Sequence, residues 1–364
     1  MILISGAGPA GCAAGILLAR AGRDVRIVDK TLPRDKLCGG LVTDKAVRLL
    51  RERLGLELPE ELVAQSSRAF EIFDGRDFLN RAEGPRPLRF LDRPCFDAWL
   101  VESARQAGCR VEKGTCSGFR GKTARVSGED APFAALIGAD GVFSAVGKAA
   151  GKALPDKSLA VGLQVDVPRA ACPALAGLDA ARICFGYLRL GWGWVFPKGE
   201  ALSIGLGGMP GGREDVVSVF RRLLEDCGVP EAGRLKVRGA KLPNDAWLRE
   251  PAAGDVFLCG DAAGFAEPLT GEGIHFALLS GVLCAESLLA GGDAAGRYNA
   301  ACRQAITGIF RQARWARALL FREPFRSLAM RRFRAGTGAM ERFLGVLSGD
   351  ADYKDFFRGS LPGR

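Results

Sequence analysis

At 364 residues, with 48% hydrophobic and 25% charged side chains, the chain can bury a sizeable core and is neither disordered nor fibrous in composition. Its longest strongly apolar stretch, 273–285, is too short to cross a bilayer. No two of its eleven cysteines lie three apart, which excludes CxxC-type zinc, iron–sulfur and dithiol sites.

In chain order, the first feature is an apolar strand, Ile2–Ser5, that runs into Gly6-Ala7-Gly8-Pro9-Ala10-Gly11. A small-residue helix over Ala13–Ala21 and a second strand, Val25–Val28, follow, and the strand ends in Asp29. Strand, glycine turn, helix, strand and terminal acid together form a dinucleotide-binding βαβ fingerprint. Gly6 permits the tight turn, Gly8 lets the backbone approach a pyrophosphate, and Gly11 lets helix and strand pack closely. The helix N-terminus offers free N–H groups and a positive dipole end to phosphate. Asp29 stands where it can accept hydrogen bonds from ribose hydroxyls, with Lys30 beside it.

Residues 68–91 hold two short strands around Asp74-Gly75, a hairpin signal. Asp92-Arg93-Pro94-Cys95-Phe96-Asp97 opens a helix over Phe96–Ala107, which leads to a strand near Cys109–Glu112. Ala135–Gly141 is an apolar strand ending in GADG. Residues 159–208 alternate as antiparallel strands do: Leu159–Val167, Ala181–Leu188, Trp192–Phe196 and Leu202–Leu206. A helix is expected at Arg213–Cys227, then a strand at Lys236–Leu242 returning to the nucleotide-binding part. Val256–Asp261 is a further strand ending in Gly-Asp, followed by a long apolar helix over Gly273–Leu289 and a helical C-terminus.

The expected fold class is α/β, α+β overall. Residues 1–45, 92–150 and 250–290 form a discontinuous Rossmann-type domain; 46–91 and 151–249 form an antiparallel-sheet substrate domain over its crevice; 291–364 form a helical C-terminal region. With nothing ahead of the first strand to serve as a leader and an odd cysteine count that suits a reducing compartment, a cytoplasmic protein is expected.

These stretches resemble the group A flavoproteins related to para-hydroxybenzoate hydroxylase, and within them the geranylgeranyl reductase family. The likeness rests on GAGPAG with Asp29, Lys36-Leu37-Cys38-Gly39-Gly40, Arg93-Pro94-Cys95-Phe96-Asp97, Gly138-Ala139-Asp140-Gly141, Trp192-Gly193-Trp194-Val195-Phe196-Pro197, and the run from Gly260-Asp261 to Pro268-Leu269-Thr270-Gly271-Glu272-Gly273-Ile274. It implies bound FAD. Gly6, Gly8, Pro9, Ala10, Gly11, Asp29, Lys30 and Arg93 would hold the adenosine and phosphate side, and Gly260 and Asp261 the ribityl chain. Cys38, Gly39 and Gly40 would lie along the flavin ring. The backbone N–H groups of Gly271, Glu272, Gly273 and Ile274 would face its N1–C2=O edge, where a helix start stabilises an electron-loaded ring. Cys38 is the candidate catalytic residue, its thiol tuned by nearby Arg34 and Lys36. Glu272 and His275, the single histidine, are weaker candidates and suit a helix start and a packed ring.

The WxW spacing puts Trp192 and Trp194 on one strand face, with Phe196, as the wall of a cavity for an isoprenoid or other flat apolar ligand. The same spacing also resembles flavin-dependent halogenases. Residues 303–334 hold nine arginines and a single acid, Glu323, interleaved with aromatic and aliphatic residues. That pattern suits a helix lying on anionic lipid, divided at Pro324; no nucleic-acid motif accompanies it. The expected activity is reduction of isoprenoid C=C bonds on a lipid or quinone side chain, with NAD(P)H or reduced ferredoxin as external reductant. A monooxygenase or halogenase, and a lipid- or quinone-binding flavoprotein without turnover, are the alternatives.

Overall fold

The computed structural model describes residues 1–209, 215–336 and 338–353. Its first layer is a six-stranded sheet in the order 252–253, 256–258, 135–138, 2–5, 25–29 and 110–113. Every neighbouring pair is parallel except the short hairpin of Ala252–Ala253 on Val256–Leu258. Covered on both faces, the inner strands Ile2–Ser5, Ala135–Gly138 and Val256–Leu258 read as near-continuous apolar runs, whereas the edge strand Arg110–Lys113 is largely exposed. Helix α1 (Pro9–Arg20) crosses over from the first strand to the second and carries nine buried residues. It begins four residues earlier than its apolar pattern suggests, because Pro9 sits comfortably in a first helical turn.

Helix α2 (Asp44–Leu54), which the sequence reading passed over, has an amphipathic face of Ala46, Leu49, Leu50 and Leu54 and stops at Gly55 in a left-handed conformation. Helix α3 spans Arg93–Gln106 and α4 is the short turn Ala145–Ala149. Between them a three-stranded sheet, 116–120, 123–126 and 129–132, was also unanticipated.

The second layer is an eight-stranded sheet in the order 238–243, 159–168, 201–209, 190–198, 181–185, 63–74, 77–91 and 41–42. It is antiparallel but for one pair: Ala181–Phe185 runs parallel to Val63–Asp74. The hairpin around Gly75 is far longer than two short strands, with register shifts at Val63/Gln65, Ser67/Ala69 and Ile72/Phe73. The strand at Arg238–Pro243 does not return to the nucleotide-binding sheet; it pairs with Leu159–Gln164 at the edge of the second sheet.

Side-chain alternation gives this sheet two faces. Leu163, Val165 and Ile204 pack with Phe220, Leu223 and Leu224 of α5 (Val216–Asp226). Residues 213–214, where that helix was expected to begin, lie outside the described residues. The other face carries Phe70, Ile72, Ile183, Phe185 and Phe196. Helix α6 (Ile274–Leu289) packs on α1, and α7 (Ala294–Cys302) leads through a π-helical turn at Arg303–Thr307 into α8 (Gly308–Leu320). Helices α8, α9 (Phe325–Ala335) and α10 (Ala339–Ser348) cover that second face. Residues 321–324, around Pro324, separate α8 from α9. The C-terminal region beyond Tyr353 lies outside the described residues.

Candidate active site

A cavity of about 560 Å³ runs between the two sheets, from the Gly6–Ala10 turn to the Trp192–Phe196 strand. Of the expected residues, Gly6, Gly8, Pro9, Ala10, Asp29, Lys30, Cys38, Gly39, Gly40, Arg93, Trp192, Trp194, Phe196, Gly260, Asp261, Gly271, Gly273 and Ile274 line it. Gly11 does not; a Cβ there would stand 1.9 Å from the Gly6 carbonyl oxygen, so its place is in the closeness of helix and strand. Gly6 adopts φ +106°, and a Cβ on it would stand 2.1 Å from the Ala139 carbonyl, so both conformation and space demand glycine.

Asp29 is buried and fully engaged. One carboxylate oxygen accepts from the Ala7 N–H at 2.8 Å, and the other from the Thr31 N–H and hydroxyl at 2.8 and 3.0 Å. Arg34 closes on it as well and reaches Asp97 at 3.1 Å. The same guanidinium lies 3.2 Å from where a Gly8 Cβ would be. A cation therefore covers the glycine turn at the place where a pyrophosphate would need one.

Arg93 and Asp97 form a buried bidentate pair at 2.8–3.1 Å. Burial works against the Arg93 charge, but Asp97 and then Cys38, both against the guanidinium, outweigh it and raise its pKa. This corrects the reading of Cys38. Lys36 is paired with Asp261, and Arg34 with Asp29 and Asp97; the cation beside the Cys38 thiol is Arg93. The Gly40 N–H points at the sulfur from 3.4 Å.

Gly260 and Asp261 end the strand Val256–Leu258 and open a short 3-10 turn. Beyond it, the Gly271 N–H donates to the Glu267 carbonyl at 2.9 Å and the Glu272 N–H to the Thr270 hydroxyl at 3.3 Å. Two of the four N–H groups expected to face a ligand are thus spent inside the turn. Among the described residues those of Gly273 and Ile274 have no acceptor and remain as the open start of α6. The Glu272 side chain accepts from Thr43 at 2.6 Å and pairs with Lys45 at 2.5 Å. His275 has its Nδ1 enclosed without a partner among the described residues, and burial pushes its pKa down to about 4. It is a neutral packed ring, not an acid at neutral pH.

Trp192, Trp194 and Phe196 form the far wall. The indoles of Trp192 and Trp194 meet edge-on at 5.9 Å, and Trp194 stacks on Phe196 at 6.1 Å. The Trp194 ring lies flat across Gly205 of the neighbouring strand, where a Cβ would stand 2.0 Å from it. Trp192 Nε1 donates to the Leu269 carbonyl at 3.0 Å, tying this wall to the turn before α6. Among the described residues, Trp194 Nε1, against Gly39, and Gln164 Oε1 are buried polar atoms along the wall without a partner. One donor and one acceptor left open suit a ligand with polar edges set in an apolar body.

Residues the sequence reading did not single out include Gln164, the lone uncharged polar side chain in its apolar strand, which was a legible signal. Arg317 was read with the outward basic window. It is buried instead and donates to the Asn244 and Pro268 carbonyls at 3.2 and 3.4 Å, also pairing with Asp245. Phe343 and Leu347 of α10 also line the cavity; nothing local in the sequence announces them.

The glycine turn, the open start of α6 and the long cavity fit an extended adenine–flavin dinucleotide, and the FAD binding domain family model matches residues 1–173. The molecule is of the FAD-dependent oxidoreductase class. The menaquinone reductase of Mycolicibacterium smegmatis is 30% identical over 324 residues, covering 80% of this chain and 76% of that one. The geranylgeranyl diphosphate reductase of Rhodobacter capsulatus is 31% identical over 308 residues, covering 79% and 74%. Among solved structures, a geranylgeranyl bacteriochlorophyll reductase-like protein from Thermoplasma acidophilum superposes with a TM-score of 0.79 at 18% identity, over 98% of this chain and 94% of that one. The chain belongs to the geranylgeranyl reductase family.

Proposed function

We propose that this enzyme reduces C=C bonds of an isoprenoid chain carried by a lipid or quinone. The observation that carries the reading is the apolar aromatic strand of Trp192, Trp194 and Phe196, which lines one cavity together with the Cys38–Gly40 turn packed against it and the start of α6. In this reading 1–45, 92–150 and 250–290 hold the cofactor, 46–91 and 151–249 the substrate, and the C-terminal helices close the cavity. Gly6, Gly8, Pro9, Ala10, Asp29, Lys30, Arg93 and Asp261 would hold FAD, with Gly11 shaping the turn. When bound and reduced by an external donor, NAD(P)H or reduced ferredoxin, FAD supplies the hydride. The chain's own residues do the rest. The indole wall excludes water and aligns a planar alkene. The Gly273 and Ile274 N–H groups turn a positive helix end toward the cavity. Cys38, lining the cavity beside Arg93, is the candidate for delivering a proton to the second carbon.

Access for such a substrate is proposed from a membrane surface at the cytoplasmic face. Trp315 is 71% and Phe325 50% exposed, with Leu328 also outward. Arg311, Arg322 and Arg331 are exposed near them in sequence. The inner side of the same α8 reaches the cavity through Arg317 and Leu320. Among the described residues no helix is long and apolar enough to cross a membrane. A peripheral contact is what the outward pattern supports.

The test is anaerobic. The FAD-loaded protein is reduced chemically and incubated with geranylgeranyl diphosphate or menaquinone, and the lipid is read by mass spectrometry. Gain of two hydrogens per turnover is expected, lost at least 100-fold in Cys38→Ala with FAD binding kept. A reduced protein that leaves every isoprenoid unchanged, yet with oxygen hydroxylates or halogenates a ring, would overturn the proposal.

A further inference from the structure

We infer that Glu267 and Tyr353 are positioning residues for the start of α6, and that through it they set how readily the bound cofactor accepts electrons. This rests on the reading that FAD occupies the cavity with its ring at that turn.

The turn 267–272 is closed on itself. The Glu267 N–H donates to the Glu272 carbonyl at 3.0 Å, and the Gly271 N–H returns to the Glu267 carbonyl at 2.9 Å. The Glu267 carboxylate, 2% exposed, sits inside this ring. Its Oε2 accepts from the Leu269 N–H at 3.1 Å, the Thr270 N–H at 2.5 Å and the Thr270 hydroxyl. Its Oε1 accepts from the Tyr353 hydroxyl at 2.7 Å. Tyr353, 3% exposed, arrives from beyond α10. Burial, and then Glu267, raise its pKa, so it stays protonated and donates.

No cation pairs with Glu267 among the described residues. The acid is therefore stabilised by donors alone, which is how a buried carboxylate can be accommodated without a salt bridge. It engages the Leu269 and Thr270 N–H groups, while those of Gly273 and Ile274 have no acceptor among the described residues and begin the helix that lines the cavity. It also sets a negative charge behind the turn that would oppose loading electrons onto a ring in front of it. The Tyr353 hydroxyl dipole offsets part of that charge. The C-terminal segment thereby reaches the redox centre through one hydrogen bond.

The two residues are separable by sign. Glu267→Gln keeps the shape and removes the charge; Tyr353→Phe keeps the charge and removes its donor. With FAD bound, the reduction potential is expected to rise in Glu267→Gln and to fall in Tyr353→Phe relative to the unaltered protein. The readout is equilibrium reduction against a reference dye, followed by flavin absorbance. Should Glu267→Gln fail to fold, Tyr353→Phe, which removes one hydroxyl, carries the test alone. Unchanged potentials, or shifts of the same sign in both variants, would mean that the contact is only structural and overturn the inference. An unaltered protein that takes up no FAD overturns the underlying reading, and this inference with it.

Discussion

His275 shows how burial turns a titratable side chain into a pH liability. Its folded pKa is depressed, to about 4 from 6.5, with burial opposed by Glu272 and reinforced by Lys45 and Arg48. Below pH 6.5 the unfolded chain takes up a proton that the folded chain refuses. Stability is therefore complete above pH 6.5 and is lost as the pH falls toward 4, by on the order of 3 kcal/mol. Melting temperatures measured at pH 7 and 4.5 are expected to converge in His275→Gln relative to the parent; an equal drop in both would refute the assignment. Gly205 is a case of space. Its substitution by Ala forces a methyl into the Trp194 ring, at a cost of about 1–3 kcal/mol. Tryptophan emission should shift and FAD uptake change with it; a variant indistinguishable from the parent in both would mean that the wall tolerates movement.

At the scale of elements, α8 is two-faced. Its inner side places Ala313, Ala316 and Leu320 in the core and Arg317 on the turn before α6. Its outer side leaves Trp315 and Arg311 in solvent. Arg317→Met strands the Asn244 and Pro268 carbonyls and Asp245, and is expected to cost about 2–3 kcal/mol and to weaken FAD binding. Arg311→Glu with Trp315→Ala should leave both intact and reduce sedimentation with phosphatidylglycerol vesicles several-fold, with little binding to phosphatidylcholine in either protein. Vesicle binding unchanged by the pair would remove α8 from the membrane reading. Composition gave the basic window as one outward face. Position on the helix splits it, because i, i+4 stripes and not segments face one way.

Over the whole molecule, the cavity belongs to neither sheet. FAD at 100 times its dissociation constant is expected to stabilise the chain by about 2.7 kcal/mol. Hydrogen-exchange protection should rise together in α1, in the strand Leu159–Pro168 and in α10. Protection confined to α1 would separate the cofactor from the second sheet. What the sequence determined was local. The turn at Gly6–Gly11, the strand ending in Asp29, the helix start at Gly273–Ile274 and the WxW alternation each follow from backbone conformation or a short period, and the structure has a turn, a strand end, a helix start and a strand at those positions. What only tertiary structure decided was pairing across distance. Arg238–Pro243 joined the second sheet, Arg93 became the neighbour of Cys38, and Glu267 met Tyr353, because such contacts depend on which surfaces the packed core brings together and leave no periodic trace along the chain.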